Sequence, residues 1–149
     1  MDIEDIKRLK YAYLRCLDTK RWDELAATFT EDATSAYDSG KYSYSGRDAI
    51  MEFLRGALGN PKIVSMHHAH HPEIELIDSS NAHGMWYLED MVIFTEANMV
   101  IRGAAFYDDR YVKVGGRWLI RRTGYVRTFE EMLGRGDVQH FRSMFEPQS

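Results

Sequence analysis

The 149-residue chain is short of several things, and each shortage closes off a class of protein. It has one cysteine, Cys16, so no disulfide can form within the chain, which suits a reducing cytoplasm. No apolar run approaches the ~18 residues of a membrane span. Positive charge is not in excess: the net charge of −4 gives no electrostatic reason to expect nucleic acid or an anionic membrane as partner. The opening Met1-Asp2-Ile3-Glu4-Asp5 is acidic where a signal peptide would be basic and then apolar. Internal repeats and low-complexity segments are also missing. The length and the ordinary apolar and charged fractions suit one globular domain with a real core.

Proline is missing too from the stretch around which the chain is organised, Gly84 to Phe94, which is rich in aromatic and β-branched residues and follows a Ser79-Ser80-Asn81 turn signal. It reads as a long central strand, with Trp86, Leu88, Asp90, Val92 and Phe94 on one face and Tyr87, Glu89, Met91 and Ile93 on the other. An unpaired carboxylate at Asp90, amid that apolar row, would cost several kcal/mol, so it needs a partner unless a bulge or strand end exposes it to water. His67-His68-Ala69-His70-His71, just upstream, offers one.

Residues 2–18 carry Ile6, Leu9, Tyr13 and Leu17 at helical spacing, with Asp2 able to cap and Asp18 closing the last turn. Tyr13 is either a core residue with its hydroxyl at the edge or a donor into a cavity. A short helix from Trp22 to Phe29, a hairpin (Ala33 to Asp38, Lys41 to Tyr44) and a third helix from Arg47 follow. Four long strands come next: Ile63 to Ile77 with a kink at Pro72, Asn81 to Thr95, Met99 to Lys113, and Trp118 to Phe129 after a Val114-Gly115-Gly116-Arg117 turn. From Glu130 the chain is polar, and residues 132–149 read as a partly ordered tail with room for one helical turn. Helices followed by long antiparallel strands define an α+β domain over residues 1–131.

This order resembles the nuclear-transport-factor-2-like fold, in which a curved sheet wraps three helices into a cone with a deep pocket. The segments Tyr13–Asp18, Met66–Ile74, Trp86–Asp90, Gly103–Tyr107 and Thr123–Arg127 resemble, more narrowly, the SnoaL-like group and its scytalone dehydratase and bile acid 7α-dehydratase families. The resemblance implies a catalytic set of Tyr13, Asp18, His70, Asp90 and Arg127, with Tyr37 as a further pocket tyrosine and a His70–Asp90 dyad as its base. His68 and His70 share a face with Ile74 and Leu76 if the strand is regular, so His67 and His71 read as solvated or interface residues. His68, Trp86, Leu88, Phe106 and Tyr125 join Tyr37 as the expected pocket lining.

The implied activity is a cofactor-free dehydratase acting on a small, apolar, carbonyl-bearing hydroxy compound. Histidine suits proton abstraction, a carboxylate can orient it, and a tyrosine hydroxyl can stabilise an enolate. An isomerase of the ketosteroid type, a non-catalytic ligand-binding protein, or a subunit like the β chains of ring-hydroxylating dioxygenases remains open. Same-face histidines at i,i+2 are compatible with a metal, but no cysteine or third ligand cluster completes a site, so none is expected. The apolar row Tyr87, Met91 and Ile93 points to a homo-oligomer through the outer sheet face, a trimer first and a dimer second.

Overall fold

The computed structural model describes residues 1–146. Helix α1 (Asp2–Asp18) buries Ile6, Lys10, Tyr13, Leu14, Cys16 and Leu17 on one stripe and carries acids in its first turn. Asp2 does not cap it. Its carboxylate instead accepts from Lys113 Nζ at 3.0 Å and Trp118 Nε1 at 2.9 Å, tying the helix start to the last hairpin. Helix α2 (Trp22–Ala26) stops short of the expected Phe29, because Phe29 pairs with Ile120 and opens strand β1 (Phe29–Tyr37). Strand β2 (Tyr42–Ser45) and helix α3 (Arg47–Leu58) follow.

Four long strands complete the chain: β3 (Ile63–Leu76), β4 (Asn81–Phe94), β5 (Met99–Val114) and β6 (Arg117–Gly134). Gly115 and Gly116, at φ 58° and 82°, make the tight β5–β6 turn that only such residues adopt cheaply. The sheet order is β2-β1-β6-β5-β4-β3, antiparallel except for the parallel β1–β6 pair, and β2 and β3 leave it unclosed. This is the expected α+β arrangement of helices against one curved sheet. Bulges at His70/Glu73, Ala104/Ala105 and Arg110/Tyr111 increase twist and bend the strands.

Strand β6 ends three residues beyond the expected domain limit at 131. Residues 135–146 form no helix or strand, so the expected helical turn is not found there, although Phe145 lies under Lys20 Nζ at 4.7 Å. The remaining tail residues, 147–149, lie outside the described part. No helix among the described residues is long and apolar enough to cross a membrane.

Beneath the sheet sits a fully buried ion pair, Lys10 Nζ to Asp109 Oδ2 at 2.8 Å. Tyr111 and Thr123 hydroxyls also donate to Asp109, each at 2.7 Å, and the Tyr107 ring lies 3.3 Å from the ammonium. Burial pushes the Lys10 pKa down, and the Asp109 charge opposes that shift. Removing one partner of such a pair costs far more than replacing both. Asp109→Leu should destabilise the protein by about 3–5 kcal/mol, and Asp109→Leu with Lys10→Met should recover much of the loss, as read by urea unfolding.

Candidate active site

The last residue of α1 supplies the first element of the site. Asp18 Oδ1 accepts from Ser65 Oγ at 2.8 Å and meets His67 Nδ1 at 2.6 Å, while Oδ2 accepts from the His67 backbone N–H at 2.7 Å. Lys20, at φ 56°, secures this junction by donating to the carbonyls of Leu58 and Ile63, so α1, α3 and β3 meet at one corner. With Nδ1–H given to the carboxylate, Nε2 is the nitrogen left free on a ring that lines the cavity and is only 10 % exposed.

That cavity, about 410 Å³, lies between the sheet and helices α1 and α3. Its apolar wall includes Leu17, Leu54, Val92 and Ile101, with Phe53 stacked among Tyr37, Tyr42 and Tyr44 at centroid distances of 4.9 to 5.8 Å. Asp90 and Arg127 form its charged wall. The guanidinium grips both carboxylate oxygens, Nη1 to Oδ1 at 2.5 Å and Nη2 to Oδ2 at 2.9 Å, and Nε lies 3.2 Å from Glu130. Burial opposes the arginine charge, but the hydrogen bonds and charge of Asp90 prevail and raise its pKa. Gly103 leaves the space this needs: a Cβ there would lie 2.4 Å from the Phe129 carbonyl and 3.2 Å from Arg127 Nη1.

Tyr13 and Tyr37 share a hydroxyl–hydroxyl hydrogen bond of 2.9 Å, and Tyr107 and Tyr125 complete the polar ceiling. Burial pushes the Tyr13, Tyr37 and Tyr107 phenols well above their usual pKa. Tyr125 is raised to about 12 by burial, with Arg127 pulling the other way. All four hydroxyls therefore stay protonated, as hydrogen-bond donors, at neutral pH.

The expected residues divide into three groups. Tyr13, Tyr37, Asp90, Tyr125 and Arg127 line the cavity, and Asp18 stands behind His67. Trp86 and Leu88 do face inward but are packed in the core, Trp86 donating to the Tyr111 hydroxyl at 3.0 Å, and neither lines the cavity. His68, His70 and Phe106 are on the outer face. A His70–Asp90 dyad is thus not formed. The Asp90 oxygens are held by Arg127, and among the described residues no imidazole is bonded to them.

The cause is a one-residue bulge. Leu76 pairs with Ala82 and Glu73 with Met85, and continuing that count would place His68 opposite Asp90. Between Glu73 and His70 the chain gains a residue, with His71 at φ 50° before Pro72, which has no N–H for the ladder. Past it His67, not His68, lies opposite Asp90, and the parity read from Ile74 and Leu76 no longer applies. His67 and Ser65 were missed for that reason. Pro72 was the available signal, had it been read as a parity change rather than a kink. Tyr107, which lines the cavity, is the neighbour of the expected Phe106, which faces outward.

A second depression, about 500 Å³, lies between α1, α2 and the β5–β6 turn. It is lined by Asp5, Arg8, Arg15 and Glu24 and holds no histidine–carboxylate pair, so it is set aside.

Comparison with known structures places this geometry in a wider group. A Novosphingobium aromaticivorans protein assigned provisionally as a scytalone dehydratase superposes with a TM-score of 0.81 at 24% identity, over 99% of this chain and 95% of that one. The hexachlorocyclohexane dehydrochlorinase of Novosphingobium barchaimii gives 0.80 at 17% identity, over 95% of both chains. A Nostoc punctiforme protein of unknown function with a cystatin-like fold gives 0.69 at 21%, over 85% and 90%. These likenesses establish the nuclear-transport-factor-2-like fold. The SnoaL-like domain profile matches residues 1–124, most of the chain, and on that ground the protein belongs to the SnoaL-like domain family.

Proposed function

We propose that the protein is a cofactor-free lyase that removes water from a small, apolar, carbonyl-bearing hydroxy compound of aromatic or polycyclic type. The observation that carries this reading is the Asp18–His67 pair, with its free imidazole nitrogen on a cavity lined by tyrosine hydroxyls and apolar side chains. The base is therefore His67 in place of His70, with Asp18 as the orienting acid. His67 Nε2 takes the proton next to the substrate carbonyl, and Asp18 stabilises the resulting imidazolium. The electron pair moves onto the carbonyl oxygen, where tyrosine hydroxyls from the Tyr13–Tyr37 pair strengthen their hydrogen bonds as charge develops. The enolate then collapses, the carbon–oxygen bond at the β position breaks, and the departing hydroxide leaves as water with the proton held by His67. Asp90 and Arg127 set the polar end of the substrate and keep the wall close to neutral.

Relatives of the same fold named as a dehydratase and a dehydrochlorinase both carry out eliminations by name, which supports this class. An isomerase would use the same base and return the proton to another carbon. The cavity volume lies in the range typical of small-molecule sites. The outer row Tyr87, Phe106 and Val126, each exposed, supports a homo-oligomer, a trimer before a dimer. The cytoplasm remains the proposed compartment, with Cys16 buried and free.

The test is water loss from a panel of hydroxy ketones, followed by absorbance of the conjugated product. His67→Ala and Asp18→Asn should each lower turnover on the order of 10²-fold or more, and the double variant little further, since the two act as one unit. Full activity in both variants would end the reading, and isomerised product without water loss would move the protein to the isomerases. Tyr13→Phe should lower turnover while leaving the fold intact.

Tyrosine titration gives a second expectation. The folded state holds the Tyr13, Tyr37 and Tyr107 protons more tightly than the unfolded chain, where a phenol titrates near 10. Above that value the folded protein carries more protons, so stability falls as pH rises. It should be intact up to about pH 10 and decline beyond it. The tyrosinate absorbance of these residues should then appear together with loss of the folded circular dichroism signal, not before it. Sedimentation at micromolar concentration checks assembly, where a monomer would overturn the oligomer.

A further inference from the structure

The bulge that turns His67 inward turns His68 and His70 outward, two residues apart on one strand, with ring centroids 5.6 Å apart. Glu89 of β4 pairs directly with His68, its Oε1 3.6 Å from His68 Nδ1. One ligand atom from each of the three residues lies within 4.8 Å of the others. Ligand atoms around a tetrahedral zinc are spaced about 3.3 Å apart, given metal–ligand bonds near 2.0–2.1 Å. Each exposed side chain needs to move by an ångström or so, within rotations that solvent-facing histidines and glutamates make freely, while the β3–β4 ladder fixes their backbones. From this geometry we propose that His68, His70 and Glu89 form a binding site for a divalent transition-metal ion.

Two imidazoles and one carboxylate select zinc, nickel or copper over calcium and magnesium, which take all-oxygen shells. The three ligands leave a coordination position for water. The third ligand could not be read from the sequence because it comes from the neighbouring strand. None of the three ligands lines the cavity, although His68 and His70 border a shallow surface depression that Asp18 and His67 also reach. All its ligands come from one chain, which sets the stoichiometry at one ion per chain in any assembly. A bound ion would join β3 to β4 through side chains, next to the interruption in their ladder, and should raise resistance to heat.

Equilibrium dialysis of the chelator-treated, full-length protein against zinc chloride tests this. Wild type should retain one zinc per chain and unfold at a higher temperature with zinc than without. His68→Ala and His70→Ala should each weaken binding on the order of tenfold or more, at least the loss that outer-shell changes cause in established sites. Glu89→Gln should weaken it too, with circular dichroism confirming that each surface variant is folded. With copper, electron paramagnetic resonance should show two nitrogen ligands in wild type and one in each single histidine variant. His67→Ala should keep its zinc. The proposal is overturned if wild type retains no zinc, if the His68→Ala, His70→Ala double variant retains it fully, or if His67→Ala loses it. None of these readouts depends on turnover, so the proposed lyase activity and the metal site can fail independently.

Discussion

A carboxylate at the C-terminal end of a helix faces the negative end of the helix dipole, a placement that costs about 0.3–1 kcal/mol. Asp18 occupies that place at the end of α1 and is kept there by three contacts from two residues of β3. The arrangement locks helix and strand together at the point where the imidazole is oriented. The Lys20 bonds to Leu58 and Ile63 close the same corner from α3. Much of the cavity's shape follows from this corner, because Tyr13 and Leu17 precede Asp18 on the same helix and reach the cavity only while its end is held against the sheet.

The opposite wall depends on a different balance. Asp90 is 5 % exposed and Arg127 12 % exposed, so removing either would leave the other a largely buried charge without its main partner. The two-pronged grip leaves Asp90 with both oxygens engaged, and its surroundings suit a fixed polar wall better than a proton carrier. A second buried pair, Lys10–Asp109, sits deeper and touches the Tyr107 ring that forms part of the cavity surface. Polar groups in this core are concentrated around the Tyr13–Tyr37 pair and along the Asp90–Arg127 wall, while the stack around Phe53 stays aromatic.

Much of the fold was legible because its signals are local. Apolar periodicity marks α1 and α3, the Gly115-Gly116 turn marks the last hairpin, and alternation along β4 correctly puts Asp90 on the buried face. Tyr13, Tyr37, Asp18, Asp90 and Arg127 were named from the resemblance and Tyr125 as pocket lining, and the structure brings them to one region. The partners of Asp90 and Asp18 were not legible, since pairing across strands depends on register. For Asp18 that register depended on one extra residue near Pro72, with the apolar landmarks Ile74 and Leu76 on the far side of it, and for Asp90 on the bulge at Ala104/Ala105 that sets Arg127 of β6. Trp86 and Leu88 show a second limit: alternation tells which face a side chain takes, but not whether the space beyond is filled. Phe29 shows a third, since a residue compatible with the end of α2 was claimed instead by pairing with Ile120.

The bulge at His71 and Pro72 also bears on how this sequence can change over time. The histidines of β3 are interleaved, so the face each one takes is set by the count of residues between it and the β3–β4 turn. Substitution of a neighbouring residue leaves that count alone, and loss of one residue at the bulge would only make the ladder regular, whereas one added residue there, with a single residue still bulged out, would slide the upstream half of β3 by one position. His68 would then lie opposite Asp90, and Ser65 and His67 would leave Asp18 together. In this strand the choice of inward-facing imidazole is stored in chain length, and an insertion reaches it more directly than point mutations do.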